Sequence, residues 1–159
     1  MESSPESSPE SSSPLPPPAA SANLQIVVDC ADPHAVADFW AAALGYTVEQ
    51  DENFVRHALA AEMATDDDVF ERHGVLVWKD AAAMSDPAGR RSRWYFQRVP
   101  EPKRVKNRMH IDIHAGTESR AAVVQHLLGL GANRLYEGAQ GPYTWVTMAD
   151  IEGNEFCVS

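Results

Sequence analysis

Apolar and polar residues alternate strictly along Arg108-Met109-His110-Ile111-Asp112-Ile113-His114. A period of two predicts a β-strand whose side chains point alternately to opposite faces. Met109, Ile111 and Ile113 then form an apolar face, and His110, Asp112 and His114 line the other. The strand is expected to run from Met109 to Ala115. Downstream the period changes. Thr117 reads as an N-cap, Ala121, Val124, Leu127 and Leu128 make a helical stripe, and Leu130-Gly131 closes it. Three further strands are expected at Asn133–Glu137, Tyr143–Met148 and Glu155–Val158. Turns at Gly138–Gly141 and Ile151–Asn154 separate them.

The first half follows the same plan. Leu24–Val28 is an apolar, β-branched run and reads as a strand. Asp32-Pro33 supplies an N-cap and a proline at the first helical position. Val36, Phe39, Trp40, Ala43 and Leu44 follow on one helical face, Gly45 ends the helix, and Tyr46–Gln50 returns as a strand. From cap to closing glycine the two copies span 13 residues (32 to 45) and 14 residues (117 to 131). Such a repeat predicts two β-α-β-β-β modules sharing one core: module one over about 23–100 and module two over about 108–159. Module one carries an insertion over about 52–73. It is read as helical from Glu52 to Met63, with a second short helix capped by Thr65 and led by Asp66, Asp67 and Asp68. The insertion is expected to be a packed decoration, with a lid over a site as the alternative. Gly74–Lys79 and Arg93–Val99 are assigned as the remaining strands of module one.

Composition narrows the picture. At 44% hydrophobic, the chain can build one core. A formal charge of -10 argues against nucleic acid or an anionic membrane as the main partner. No apolar run approaches the roughly 18–20 residues that span a bilayer. The N-terminus has no basic segment followed by an apolar run of the signal-peptide kind. Two cysteines, Cys30 and Cys157, make no disulfide framework and are expected as free thiols in a reducing cytoplasm. Residues 1–22 repeat Glu-Ser-Ser-Pro and contain the run Pro16-Pro17-Pro18, a composition expected to stay disordered. A solvated tail is the main expectation for it; an interaction protein acting through that proline run is the alternative.

The chemistry concentrates in module two. Two imidazoles and a carboxylate in one row suit metal binding, proton transfer or recognition of a polar ligand, or simply a hydrated strand face. Tyr95, Tyr143 and Trp145 could wall an organic ligand or pack in the core. Eight of the thirteen basic residues lie between Arg90 and Arg108, opposed there only by Glu101. They form either a positive rim for an anion or a solvated linker paired with acidic surface elsewhere.

Three segments carry a family resemblance. They are Asp29-Cys30-Ala31-Asp32-Pro33 leading to Asp38-Phe39-Trp40 and Leu44-Gly45-Tyr46; Phe96–Lys103 with Lys106–His110; and Met148–Cys157, where Ile151 replaces a usual proline. Over residues 24–158 the chain resembles the vicinal oxygen chelate superfamily and its glyoxalase-like domains of the glyoxalase, bleomycin-resistance and dioxygenase type. The resemblance implies an α+β fold in which paired βαβββ modules form a curled, cup-shaped mixed sheet with helices outside.

In metal-dependent members of that superfamily, ligands come from the first and last strands of each module. The matching positions here are Gln25, Gln97, His110 and Cys157. Two amides, one imidazole and one thiol make a poor set for a hard divalent ion. No cofactor is therefore expected, with a divalent metal at His110 as the weaker alternative. The expected function is binding of a small polar or aromatic organic ligand, of anionic character if the basic rim serves it. Gln25, Gln97, His110, Asp112, His114, Trp145 and Cys157 are the ligand-binding candidates. The alternative is a lyase, isomerase or dioxygenase-type enzyme using a metal or a metal-free site, with His110 as base or Cys157 as nucleophile the weak catalytic candidates. The resemblance also admits a homodimer.

Overall fold

The computed structural model describes residues 24–159, so the reading of residues 1–22 as a disordered tail lies outside the described residues. The fold is α+β, with two four-stranded sheets. Module one runs β1 (Gln25–Cys30), α1 (Pro33–Leu44), β2 (Thr47–Val48), the insertion, β5 (Ala81–Ser85) and β6 (Arg93–Arg98). Module two runs β7 (Ile111–Ile113), α3 (Arg120–Gly129), β8 (Asn133–Gln140), β9 (Tyr143–Ala149) and β10 (Glu155–Val158). The sheet orders are β1-β6-β5-β2 and β7-β10-β9-β8. In each, the first and last strands of the module lie side by side in parallel and the others are antiparallel.

Local signals explain α1 closely. The Asp32 carboxylate accepts from the amides of His34 and Ala35, Pro33 opens the helix, and Gly45 closes it in the left-handed region at φ 67°. The α1 stripe is the centre of the molecule. Phe39 and Trp40 are buried, and their rings meet Trp94 of β6 and Phe156 of β10 at centroid distances of 5.1–6.5 Å. One hydrophobic cluster thus joins both modules. The Glu152 carboxylate, in the β9–β10 turn, adds a polar clasp by accepting from the amides of Ala31 and Asp32 at 2.7–3.0 Å.

Several expected boundaries shift. β7 spans only Ile111–Ile113, so His110 and His114 flank it, and Met109 is 83% exposed rather than part of an apolar face. α3 begins at Arg120 after Ser119, not at a Thr117 cap. β8 continues to Gln140, and the turn falls at Gly141-Pro142.

The larger correction concerns module one. Val75–Trp78 (β4) does not enter the module sheet. It pairs with β3 (Val69–Arg72) in a separate two-stranded ribbon. The sheet strand is instead β5, Ala81–Ser85, whose alanines carry no strand signal. The insertion therefore comprises a helix α2 (Glu52–Ala60), a 3-10 turn at Asp66–Asp68 and this hairpin. Thr65 and Asp68 form a reciprocal capping box at the 3-10 turn.

Candidate ligand-binding site

Strand alternation sorts the side chains of module two. Phe156 and Val158 point to the core, while Glu155 and Cys157 point to the opposite face. Register places Asp112 beside Cys157, Cys157 beside Thr147, and Thr147 beside Tyr136. Along β9, Tyr143, Trp145 and Thr147 share that face. The result is a cavity of about 640 Å³. His110, Asp112, His114, Trp145 and Cys157 all line it, together with Tyr136, Tyr143, Lys106 and Arg120.

Two details shape this cavity. Gly138 sits opposite Trp145, and a Cβ on it would fall 2.3 Å from indole Cε2. The absent side chain lets the ring lie flat across β8. Arg120, at the start of α3, is steered by the Thr144 carbonyl and hydroxyl, which accept from its Nη1 at 2.8 and 2.7 Å. Its remaining N–H groups are uncommitted among the described residues. His114 Nδ1 lies 2.8 Å from the Ser159 hydroxyl. Two cations, Lys106 and Arg120, thus face one carboxylate, Asp112, in a protein of net charge -10.

Gln25 and Gln97 do not line this cavity. They stand on the non-core face of module one, where Gln25 Oε1 accepts from Arg93 and Gln97 Nε2 donates to the Asp29 carboxylate at 2.7 Å. Both amides already serve protein partners. Among the described residues, no three His, Cys, Asp or Glu side chains group as they would around a metal ion. Gln25, Gln97, His110 and Cys157 do not fit a divalent metal: the two amides are engaged in module one, which leaves one imidazole and one thiol of the set at the cavity. Glu155, on the face of Cys157, is committed as well. Burial pushes its pKa up, but Lys103 at 2.9 Å and the Asn107 amide at 3.0 Å outweigh this and hold it at about 2.

Burial also raises the pKa of the Cys157 thiol, Asp112 adds to the rise, and Thr147 lies 3.7 Å away. Cys30 is 3% exposed, and burial pushes its pKa up to about 12. Both are free thiols and protonated at neutral pH, so neither is an activated nucleophile. Native protein should therefore react slowly with a disulfide reagent near pH 7.5, at about a tenth or less of the rate of an unfolded thiol. Cys157 should react first because it opens on the cavity, and Cys30 only on unfolding. Since burial raises the folded pKa of Cys30, this thiol leaves stability unchanged below its ordinary value of 9.0 and lowers it as pH rises from there toward 12. Denaturation midpoints at pH 8 and 10 measure this; a higher midpoint at pH 10 would contradict it.

Of the basic residues between 90 and 108, four are paired: Arg91 with Asp86, Arg93 with Glu49, Arg98 with Asp80 and Lys103 with Glu155. Lys106 is the member of the cluster that lines the module-two cavity. Sequence reasoning also missed Arg120, which no local pattern marks; only the α3–β9 packing brings it to the site.

Comparison with known proteins places this fold. A family model described as a glyoxalase-like domain matches residues 25–159. No curated protein matches the chain. Among solved structures, a glyoxalase/bleomycin resistance/dioxygenase family enzyme from Burkholderia phytofirmans PsJN is 13% identical, with a TM-score of 0.54 over 84% of this chain and 94% of that one. The fosfomycin resistance protein FosX of Mesorhizobium loti is 6% identical, with a TM-score of 0.57 over 87% of this chain and 90% of that one. A mutant FosX of Listeria monocytogenes, complexed with Mn(II) and 1S,2S-dihydroxypropylphosphonic acid, is 11% identical, with a TM-score of 0.55 over 87% and 88%. At these identities the likeness is one of fold. Among the described residues no helix is long and apolar enough to cross a membrane.

Proposed function

Because the chain belongs to the glyoxalase-like domain family, we propose that it binds a small aromatic anion, a carboxylate or phosphonate, in the module-two cavity without a metal. The observation that carries this reading is the pairing of Lys106 and Arg120 with the rings of Tyr136, Tyr143 and Trp145 around one cavity. The aromatic rings supply flat apolar area, and the uncommitted N–H groups of Arg120 supply charge-assisted hydrogen bonds to an oxyanion. His110 and His114 border the same space and add ring nitrogens. Binding rather than turnover is favoured because the thiol is protonated and the metal-position residues do not suit a metal. The phosphonate held by the Listeria protein guides the choice of probe.

Calorimetric titration with phenylphosphonate tests this. One site with a micromolar to sub-millimolar dissociation constant is expected, unchanged by a chelator. Arg120→Ala should weaken binding about tenfold or more, the equivalent of a charged hydrogen bond. Gly138→Ala should weaken it by tilting Trp145 out of the wall, at a stability cost of about 1 kcal/mol. Equal affinity in wild type and both variants would refute the cavity assignment. Loss of binding on chelation, restored by a divalent ion, would establish the metal-dependent alternative instead.

A further inference from the structure

The insertion of module one leaves a cavity between itself and its sheet, although Val55 and Ala58 of α2 are buried. Its hairpin is fastened at its margins: His34 Nε2 of α1 donates to the Trp78 carbonyl at 2.8 Å, the His34 ring stacks edge-on with Phe70 at 5.1 Å, and Arg72 pairs with Asp38. α2 meets the hairpin through the Phe54 and Trp78 rings, 6.2 Å apart and edge-on. Beneath these contacts lies a cavity of about 400 Å³, separate from the module-two cavity and sharing no lining residue with it. That volume falls within the roughly 300–1,000 Å³ of small-molecule sites.

Its floor is low by construction. Ala83 stands opposite Tyr95 on the neighbouring strand, with Ala81 two residues away on the same face. Alanine is disfavoured in strands, and larger residues here would pack against the hairpin and fill the gap. The roof stays partly uncovered instead: Leu76, Val77 and Trp78 are only half-buried, and Phe54 is 55% exposed.

The charges around this cavity cancel. Glu49, Asp51, Arg72 and Arg93 border it. Glu49 accepts from Arg93 at 2.7–3.1 Å and from the Ser85 hydroxyl. Arg72 is held by Asp38, and Asp51 caps α2 by accepting from the Phe54 amide. An ionic ligand would meet no unpaired counter-charge and would pay its desolvation uncompensated. A neutral ligand does not. Trp78 and Tyr95 line the cavity, and no described protein group engages the indole N–H or the phenol hydroxyl. Among the described residues no buried side-chain nitrogen or oxygen lacks a partner, so these two groups keep access to open space and can donate to a ligand acceptor.

We infer that this cavity is a second ligand site, taking an uncharged, planar, two-ring aromatic molecule that accepts a hydrogen bond, roofed by α2 and the β3–β4 hairpin. The site is independent of the anion cavity and shares no residue with it.

The neutral naphthalene ketone 6-propionyl-2-dimethylaminonaphthalene tests the assignment by fluorescence. Wild type should bind it at one site with a blue-shifted emission. Ala83→Phe and Ala81→Leu, which fill the floor, should weaken binding about tenfold or more. Arg120→Ala and excess phenylphosphonate should leave it unchanged. The anionic 8-anilinonaphthalene-1-sulfonate should show no binding that the filling variants remove. Equal ketone affinity in wild type and in both folded filling variants would overturn the assignment. So would displacement by phenylphosphonate, which would move the probe to module two, or sulfonate binding that the filling variants abolish. Should neither filling variant fold, Trp78→Phe decides: a weaker, less perturbed probe signal supports the site, and an identical one overturns it.

Discussion

Replacing Asp150 with asparagine should destabilise the fold by about 2–3 kcal/mol, although the two side chains have nearly the same shape. Asp150 is 1% exposed, and each hydrogen-bond partner of its carboxylate is a donor. Trp40 Nε1 donates to it at 3.1 Å, the amides of Glu152 and Asn154 at 3.0 and 2.9 Å, and Asn154 Nδ2 at 3.1–3.2 Å. A carboxylate only accepts, so it satisfies all of them. An amide must turn its NH₂ toward at least one donor and leave that donor unmet in a buried site. Thermal unfolding followed by circular dichroism should show Tm lower by roughly 6–9 °C for a chain of this size. Trp40→Phe removes one of the donors, so its effect and that of Asp150→Asn should be less than additive in the double variant. Full additivity, or a wild-type Tm in Asp150→Asn, would contradict this account of the turn.

Phe156→Ala should be costlier still, about 3–5 kcal/mol. Phe156 is 1% exposed and lies on an inner strand of the module-two sheet, yet its ring packs on Phe39 and Trp40 of module one. The void would open at the join between modules rather than inside either. Loss of stability should therefore appear in both halves together. Native-state hydrogen exchange should show the β6 and β9 amides losing protection by the same amount. A loss confined to β7–β10 would mean that the modules are energetically separate and the shared cluster is a contact only.

The elements that sequence reasoning placed best combine a cap, a stripe and a stop. Asp32-Pro33, the Val36–Leu44 stripe and Gly45 fix α1 almost to the residue. β10 also falls at its expected bounds, because turn residues mark its start. β4 and β5 show the limit. Val75–Trp78 has strong strand character, and periodicity reports a strand without reporting its partner. Ala81–Ala83 has no strand character and still enters the sheet, because pairing with β6 overrides local propensity. The row His110-Asp112-His114 was legible as one face of module two. Arg120 and the Glu49–Arg93 pair were not, since each depends on residues brought together across 24 and 44 positions by topology.

The strand order β7-β10-β9-β8 has a consequence for how the chain acquires its shape. As the polypeptide emerges from a ribosome, β7, β8 and β9 precede the strand that belongs between β7 and β9. Until residues 155–158 arrive, two strand edges face each other with their hydrogen-bonding groups unpaired, inviting mispairing with other nascent chains. The same wait holds at the far end of the domain, where the amides of Ala31 and Asp32 find the Glu152 carboxylate only across some 120 positions of sequence. Contacts of that separation slow folding. The nascent chain is thus most exposed to aggregation just before the β9–β10 hairpin closes, and a chaperone that shields unpaired strands would act in that interval.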